Sequence, residues 1–247
     1  MALPLEGKSA LVTGGSRGIG AAIAHRLAED GADVAITYAR SDAAAEKVAD
    51  AVRALGRKAL PIKADSSDPD AVQAAVRQAA QELGGLDILV NNAGIFEMGV
   101  ISDLGVEDFD RMVDVNVRAV FAAVQEASGL ISDKGRIITI GSVNADTTPL
   151  AGMSLYGMSK AAVQALTRGW ARDFGPRGVT VNVIQPGPID TDMNPAEGEF
   201  AGPMKQLTAL GRYGETKDIA DLTAFVAGPD AGYITGAAID IDGGFRL

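Results

Sequence analysis

Apolar residues recur along the chain in two alternating patterns, and their alternation predicts the architecture. Short β-branched runs such as VAI, DILV, RIITI and VTVNVI carry almost no polar break, as strands buried on both sheet faces do. Between them lie longer stretches with apolar residues at helical spacing, among them AAIAHRLAEDGA, DAAAEKVADAVRALG and PDAVQAAVRQAAQELG. In chain order, strands are expected in SALVTGG, DVAITYA, KALPIKAD and LDILVNNAG, each followed by a helix. One long helix is predicted over VEDFDRMVDVNVRAVFAAVQEAS, then the strand GRIITIGS and the helix SLYGMSKAAVQALTRGWARDFG. The strand GVTVNVIQPG, a helix near TKDIADLTAFVAG and a short strand in AAIDIDGG complete the series. Strands alternating with helices form right-handed crossovers. The expected fold is therefore a single α/β domain over residues 1–247: a doubly wound, mostly parallel sheet of about seven strands, with helices on both faces. Residues 190–214, DTDMNPAEGEFAGPMKQLTALGRYG, fit neither pattern and read as a lid over a site.

Composition narrows the function. Hydrophobic residues make up 47% and charged residues 22%, as in an ordinary globular protein, and no apolar run is long enough to span a membrane. The first residues, MALPLEGKSALVTGG, lack the pattern of a secretory leader, and there are no cysteines to form disulfides, thiolate metal sites or a thiol nucleophile. A cytoplasmic location is expected, with no membrane partner and no metal. A net charge of −10 without any basic block argues against a nucleic-acid partner. His25, the only histidine, sits in the helical stretch AAIAHRLAEDGA and reads as a structural residue rather than a catalytic base.

The segment TGGSRGIG joins the first strand to the first helix. Gly14, Gly18 and Gly20 allow a tight turn and close backbone approach, and the helix start beyond them offers free N–H groups to a pyrophosphate. A carboxylate at the end of the second strand would select NAD, whereas an arginine there suits the 2′-phosphate of NADP. The chain reads ITYARSD at that point, so Tyr38, Arg40 and Ser41 are the expected contacts, with Arg17 adding a second cation from the glycine loop. Asp42, next in line, reads as the cap of the following helix. NADP(H) is the expected cofactor.

Tyr156 and Lys160, in YGMSK, stand at i and i+4 and so share one helix face. An ammonium about 4 Å from a phenol favours the phenolate by on the order of 4 kcal/mol, so the pair is expected to make Tyr156 unusually acidic. Ser142, in RIITIGSVNAD, precedes them.

TGGSRGIG, LVNNAG, the asparagine of VDVNVRA, the serine of IGSVN, YGMSK and IQPGPIDT occur together in the order found in short-chain dehydrogenases/reductases. The chain resembles that family over essentially its whole length, and in particular its NADP-preferring branch, which includes 3-oxoacyl-[acyl-carrier-protein] reductases and carbonyl reductases. The resemblance implies a Rossmann-type fold and an NADPH-dependent oxidoreductase that reduces a ketone, aldehyde or 3-oxoacyl thioester. Tyr156 would protonate the carbonyl oxygen as hydride arrives, and Lys160 would tune it and hold the nicotinamide ribose. Ser142 would bind the substrate oxygen, and Asn116 would position a water linked to Lys160. Gly14, Ser16, Arg17 and Ile19 would line the pyrophosphate and adenosine. Asp65 and Ser66 would bracket the adenine, and Asn92, Ala93 and Gly94 would lie beneath the adenine-side ribose. Ile189 and Thr191, after Pro186 and Gly187, would hold the carboxamide.

Other implications of the resemblance are less specific. The helices bearing Asn116 and Trp170 resemble those that pair in the family's homotetramers. Asn144 and Asp146, beside Ser142, replace the small residues common in relatives, and would either shape the pocket or cap a turn. An acyl-carrier protein would need a basic patch, for which Lys205, Arg212 and Arg246 are the candidates. The same site could run in reverse as an alcohol dehydrogenase. IGSVNAD and GPIDTDMNPA also resemble a subgroup linked to cyclic di-GMP binding.

Overall fold

The computed structural model describes residues 3–198 and 201–247. Its first half alternates β1 (Ser9–Val12), α1 (Gly18–Glu29), β2 (Asp33–Tyr38), α2 (Asp42–Ala54), β3 (Ala59–Lys63), α3 (Pro69–Leu83) and β4 (Leu86–Asn91). There follow α4 (Val106–Val113), α5 (Ala119–Ala127), β5 (Ile131–Ile140), α6 (Ser154–Phe174) and β6 (Thr180–Pro186). Helices α7 (Ala201–Leu207) and α8 (Thr216–Ala227) and strand β7 (Ala238–Ile241) end the chain. All seven strands are parallel, in the order β3-β2-β1-β4-β5-β6-β7. The order reverses between β1 and β4, and the crevice beyond the carboxyl ends of those strands is where such sheets bind ligands.

The unbroken apolar strands have the cause expected from the pattern. One core packs Val72, Val76, Val120, Val124, Val163 and Phe174, from α3, α5 and α6, against one face of the sheet. A second packs Ile23, Leu27, Val52, Ile219 and Ala224, from α1, α2 and α8, against the other. Helix limits follow local chemistry. The Asp68 side chain accepts from the N–H groups of Asp70 and Ala71, Pro69 opens α3, and Gly84 closes it in the left-handed conformation (φ 83°).

The structure differs from the sequence pattern in three places. The long helix is interrupted by a π-helical turn at Asp114–Arg118, which carries Asn116 inward. Asp42 does not cap α2. Ser41 does, accepting from the Ala44 N–H, while Asp42 lies in the first turn and pairs with Lys63 at 3.2 Å. Residues 190–214 are not wholly irregular, because α7 forms within them; residues 199 and 200 of this stretch lie outside the described residues.

Candidate active site

The glycine loop is shaped by close approach. A Cβ on Gly14, whose φ is 64°, would lie 2.9 Å from the Ala93 Cα, and one on Gly20 would lie 2.4 Å from the Gly14 carbonyl oxygen. Asn92 fastens the loop to the end of β4, its Nδ2 donating to the carbonyls of Thr13 and Gly14 at 2.9 and 3.1 Å. Thr13 Oγ1 accepts from the N–H groups of Asn92 and Ala93, and Thr37 Oγ1 accepts from the Gly14 N–H. No side chain caps the start of α1 and its first turn holds no acid, so its leading N–H groups open onto the cleft. A narrow, cradle-like loop over an uncapped helix start fits a dinucleotide pyrophosphate.

Arg17 and Arg40 are exposed on the wall of the same cleft, and neither forms an ion pair among the described residues. The one carboxylate at the end of β2, Asp42, is engaged. Lys63 first and Tyr38 second hold its pKa below the ordinary value, while desolvation and Asp42 raise that of the Tyr38 phenol. Asp65 accepts from both the N–H and the hydroxyl of Ser67, and those bonds lower its pKa. Two unpaired guanidiniums beside a neutralised acid suit a phosphate better than a ribose hydroxyl.

At the other end of the cleft, β5 delivers Ser142 and α6 delivers Tyr156 and Lys160. Gly157 lets α6 lie close to the turn after Ser142, since a Cβ there would be 3.0 Å from the Asn144 carbonyl oxygen. The Tyr156 and Phe96 rings pack nearly perpendicular to each other, with centroids 4.9 Å apart. Lys160 is buried, donates to the Ile140 carbonyl at 3.0 Å and sits 5.6 Å from the centre of the Tyr156 ring. Asn116 lies behind the cleft wall. Its Oδ1 accepts from the Ile95 N–H at 2.8 Å, and its Nδ2 donates to the Ile95 carbonyl and to Ser159 Oγ, each at 3.0 Å. Gly94 is the gap between them: a Cβ there would be 3.2 Å from Asn116 Oδ1 and 3.6 Å from Lys160 Nζ.

The expected acidity of Tyr156 is corrected by this environment. Burial raises its pKa, opposed in part by the nearby Ser142 hydroxyl, and burial lowers that of Lys160 to about 8. Desolvation outweighs the attraction because both groups are walled in by protein and the ammonium is turned onto a backbone carbonyl. At neutral pH the phenol keeps its proton and Lys160 stays mostly charged.

That depression has a consequence for stability. Below pH 8 both the folded and unfolded chains hold the lysine proton, so the folded state bears the full penalty of a buried ammonium. Between about 8 and the ordinary 10.5 only the unfolded chain binds it, so this penalty fades as pH rises. Lys160→Met is therefore expected to be more stable than the parent at pH 7, by on the order of 2 kcal/mol after loss of the bond to Ile140. The gain should shrink towards pH 10.5. Urea unfolding at pH 7 and pH 10 checks this, and a variant less stable at pH 7 contradicts it.

One cleft of about 960 Å³ joins both ends and is lined by every expected site residue except Asn116. Pro186, Gly187, Ile189 and Thr191 form its floor, and Thr191 faces the glycine loop, its Cγ2 3.7 Å from where a Gly18 Cβ would stand. Phe96, Met98, Met153, Met193, Met204 and Phe245 give the end near Tyr156 an apolar wall. Met204, on α7, packs with Val143, Tyr213 and Phe245.

Of the cations considered for a carrier protein, Arg246 pairs with Asp146 at 3.2 Å and with Asp240, and Arg212 lies 3.9 Å from Asp218. These two are thus partly neutralised. Asp146 faces away from Ser142, accepting from Gln164 and Gln185, whereas Asn144 bonds Ser142 directly. Trp170 is buried in the chain's own core and presents little surface to a partner. His25 is half-exposed and stands 3.5 Å from Glu29, away from the cleft-lining residues. Sequence reasoning missed Thr13, Thr37, Phe96 and Ser159. Thr13, directly before the glycines, was the one with a visible signal; the others are brought in by tertiary contacts.

A family model described as enoyl-(acyl carrier protein) reductase matches residues 14–246. A solved short-chain dehydrogenase/reductase from Serratia marcescens is 59% identical, with a TM-score of 0.97 over 99% of this chain and 100% of that one. A short-chain dehydrogenase from Burkholderia cenocepacia, solved in complex with NADP, is 55% identical, with a TM-score of 0.98 over the same shares. The cyclic-di-GMP-binding biofilm dispersal mediator protein of Escherichia coli K12 is 48% identical over 97% of each chain. With its seven-stranded parallel sheet and its glycine-loop, Ser142, Tyr156 and Lys160 constellation, the chain belongs to the short-chain dehydrogenase/reductase family.

Proposed function

We propose that the protein is an NADPH-dependent reductase that converts a carbonyl to an alcohol, with Tyr156 as general acid. The observation that carries this reading is one cleft with Ser142, Tyr156 and a buried Lys160 at one end and a glycine loop with two unpaired arginines at the other. NADPH, when bound, supplies the hydride. Gly14, Ser16, Gly18, Ile19 and Gly20 offer backbone groups to its pyrophosphate, and Arg17, Arg40 and Ser41 its phosphate contacts. Tyr38, Asp65, Ser66, Asn92, Ala93 and Gly94 flank the adenosine, and Pro186, Gly187, Ile189 and Thr191 the nicotinamide. The Burkholderia relative, solved with NADP, supports that choice.

Ser142 and Tyr156 line the corner where the substrate oxygen gathers negative charge, and Tyr156 gives up its proton to that oxygen while the Ser142 hydroxyl stabilises the charge. Lys160, charged at neutral pH, stabilises the phenolate left behind, and Asn116 holds the Ile95 backbone and Ser159 in place beside it. A phenol that keeps its proton at pH 7 favours reduction; alcohol oxidation at this site needs the phenolate and gains as pH rises. The apolar wall suits a neutral ketone or aldehyde, and of the three cations open to an acyl-carrier protein Arg246 and Arg212 are paired, which leaves Lys205 alone without an ion pair among the described residues. Residues 190–214, with α7 in their midst, act as the lid of a single domain. NADPH oxidation against a panel of ketones, aldehydes and 3-oxoacyl thioesters tests the reading, and no turnover with any of them contradicts it.

The Escherichia coli relative supports a second reading, a cyclic di-GMP-binding protein on the same fold. Complete catalytic machinery speaks for turnover, since binding alone needs none of it. Calorimetric titration with cyclic di-GMP, run beside the carbonyl panel, separates the two.

We place the protein in the cytoplasm: it has no cysteine, and no helix among the described residues is long and apolar enough to cross a membrane. A homotetramer is the proposed assembly, because Val106, Phe109 and Phe121 leave an exposed apolar face along α4 and α5. Light scattering should return about four times the 25.3 kDa chain mass, and a monomer mass contradicts this.

A further inference from the structure

A serine hydroxyl has one proton, and Ser142, whose hydroxyl lies close enough to Tyr156 to oppose the rise in its pKa, gives that proton a second acceptor. Ser142 Oγ donates to Asn144 Oδ1 at 3.0 Å, and the Asn144 backbone N–H donates back to Ser142 Oγ at 3.2 Å. The orientation of the amide is set on its other side, where Nδ2 donates to the Thr147 carbonyl at 3.3 Å. One residue thus fixes both the rotamer of the Ser142 hydroxyl and the direction of its proton. The corner is tight as well, because the Asn144 carbonyl oxygen lies against Gly157, the residue after Tyr156.

We propose that Asn144 is a positioning residue that holds the Ser142 proton away from the cleft until an oxygen carrying negative charge claims it. The proposal rests on the reading of Ser142 and Tyr156 given above. A neutral amide oxygen is a weaker acceptor than an alkoxide or a phenolate, since hydrogen bonds to ionised groups are roughly twice as strong. The uncharged carbonyl of a substrate competes with Asn144 on near-equal terms. The oxygen of the transition state does not. The hydrogen bond from Ser142 is thereby reserved for the moment charge develops, which is the kind of interaction that raises turnover rather than ground-state binding.

The remaining charged groups near the phenol do not duplicate this role. Lys160 lies 5.6 Å from the ring centre and donates to Ile140. Glu97 and Arg111, which also line the cleft, are bound to each other, with Asp108 also on Arg111. Asp146, two residues past Asn144, turns to Gln164, Gln185 and Arg246.

The test reads the Tyr156 phenol directly, by ultraviolet difference titration of the full chain against Tyr156→Phe. Asn144→Ala leaves the Ser142 proton wholly to the phenolate, so the lowering that Ser142 already exerts on Tyr156 should deepen and the midpoint fall further, by on the order of one pH unit. Asn144→Asp grips the proton more strongly and adds a like charge, so the midpoint should rise. In a Ser142→Ala background, Asn144→Ala should leave the midpoint where Ser142→Ala alone puts it. The same fall with and without Ser142 overturns the proposal, because the effect would then come from a loosened turn. An Asn144→Ala midpoint equal to that of the parent overturns it too. The titration needs neither cofactor nor turnover, so a protein that shows these shifts yet reduces no carbonyl would refute the reductase reading and leave the Ser142–Asn144 coupling standing.

Discussion

Replacing Tyr156 by phenylalanine is expected to lower carbonyl reduction by about 10²- to 10⁴-fold, the usual worth of a positioned proton donor, while NADPH still binds. The ring itself packs nearly perpendicular to Phe96, and phenylalanine preserves that contact. Only the hydroxyl is lost. At neutral pH that hydroxyl keeps its proton, whereas the Ser142 proton is held by Asn144. The cofactor end of the cleft is built by other elements, namely the glycine loop, the end of β2 and the residues after β4, so nucleotide affinity should change little. Single-turnover NADPH oxidation beside a fluorescence titration with NADPH checks both halves. Turnover close to that of the parent removes Tyr156 from the chemistry.

Removing both cleft cations, in Arg17→Ala/Arg40→Ala, is expected to lower kcat/KM with NADPH by roughly 10²- to 10⁴-fold and to leave NADH nearly unaffected. Each arginine that meets a phosphate makes a charge-assisted hydrogen bond worth about 1.5–3 kcal/mol. Both side chains are exposed on the cleft and free of ion pairs among the described residues, so neither has another structural task to lose. Asp42 does not reverse the preference, because Lys63 and Tyr38 already hold its carboxylate. Steady-state kinetics with the two cofactors decides the matter. Equal losses with NADPH and NADH would mean that the arginines serve the pyrophosphate or the fold rather than the 2′-phosphate.

Much of this architecture is legible in the sequence because buried parallel strands and amphipathic helices leave strong local patterns. SALV, DILVN and TVNVIQP are strands buried on both faces, and the expected helices lie between them. The glycine loop was equally legible, since only residues without a Cβ can pass Ala93 and the loop's own carbonyl at those distances. What escaped depends on contacts between distant segments. The π-helical turn at Asp114–Arg118 leaves no trace in the hydrophobic period, yet it sets the Asn116 side chain against Ile95 and Ser159. The assignment of Asp42 as a cap failed because Ser41, one residue earlier, has the right geometry and Lys63 competes for the carboxylate. The acidity expected of Tyr156 failed for a similar reason. Spacing along a helix shows that two groups are neighbours, but not how far the surrounding protein strips both of water.

The most direct measurement is a crystal structure of the protein with NADPH and an unreactive carbonyl analogue. It should show the analogue's oxygen within hydrogen-bond reach of both the Tyr156 and Ser142 hydroxyls, with its carbon over the reactive carbon of the nicotinamide. A nicotinamide bound elsewhere, or a phenol too remote for a carbonyl to bridge the two, would contradict the account.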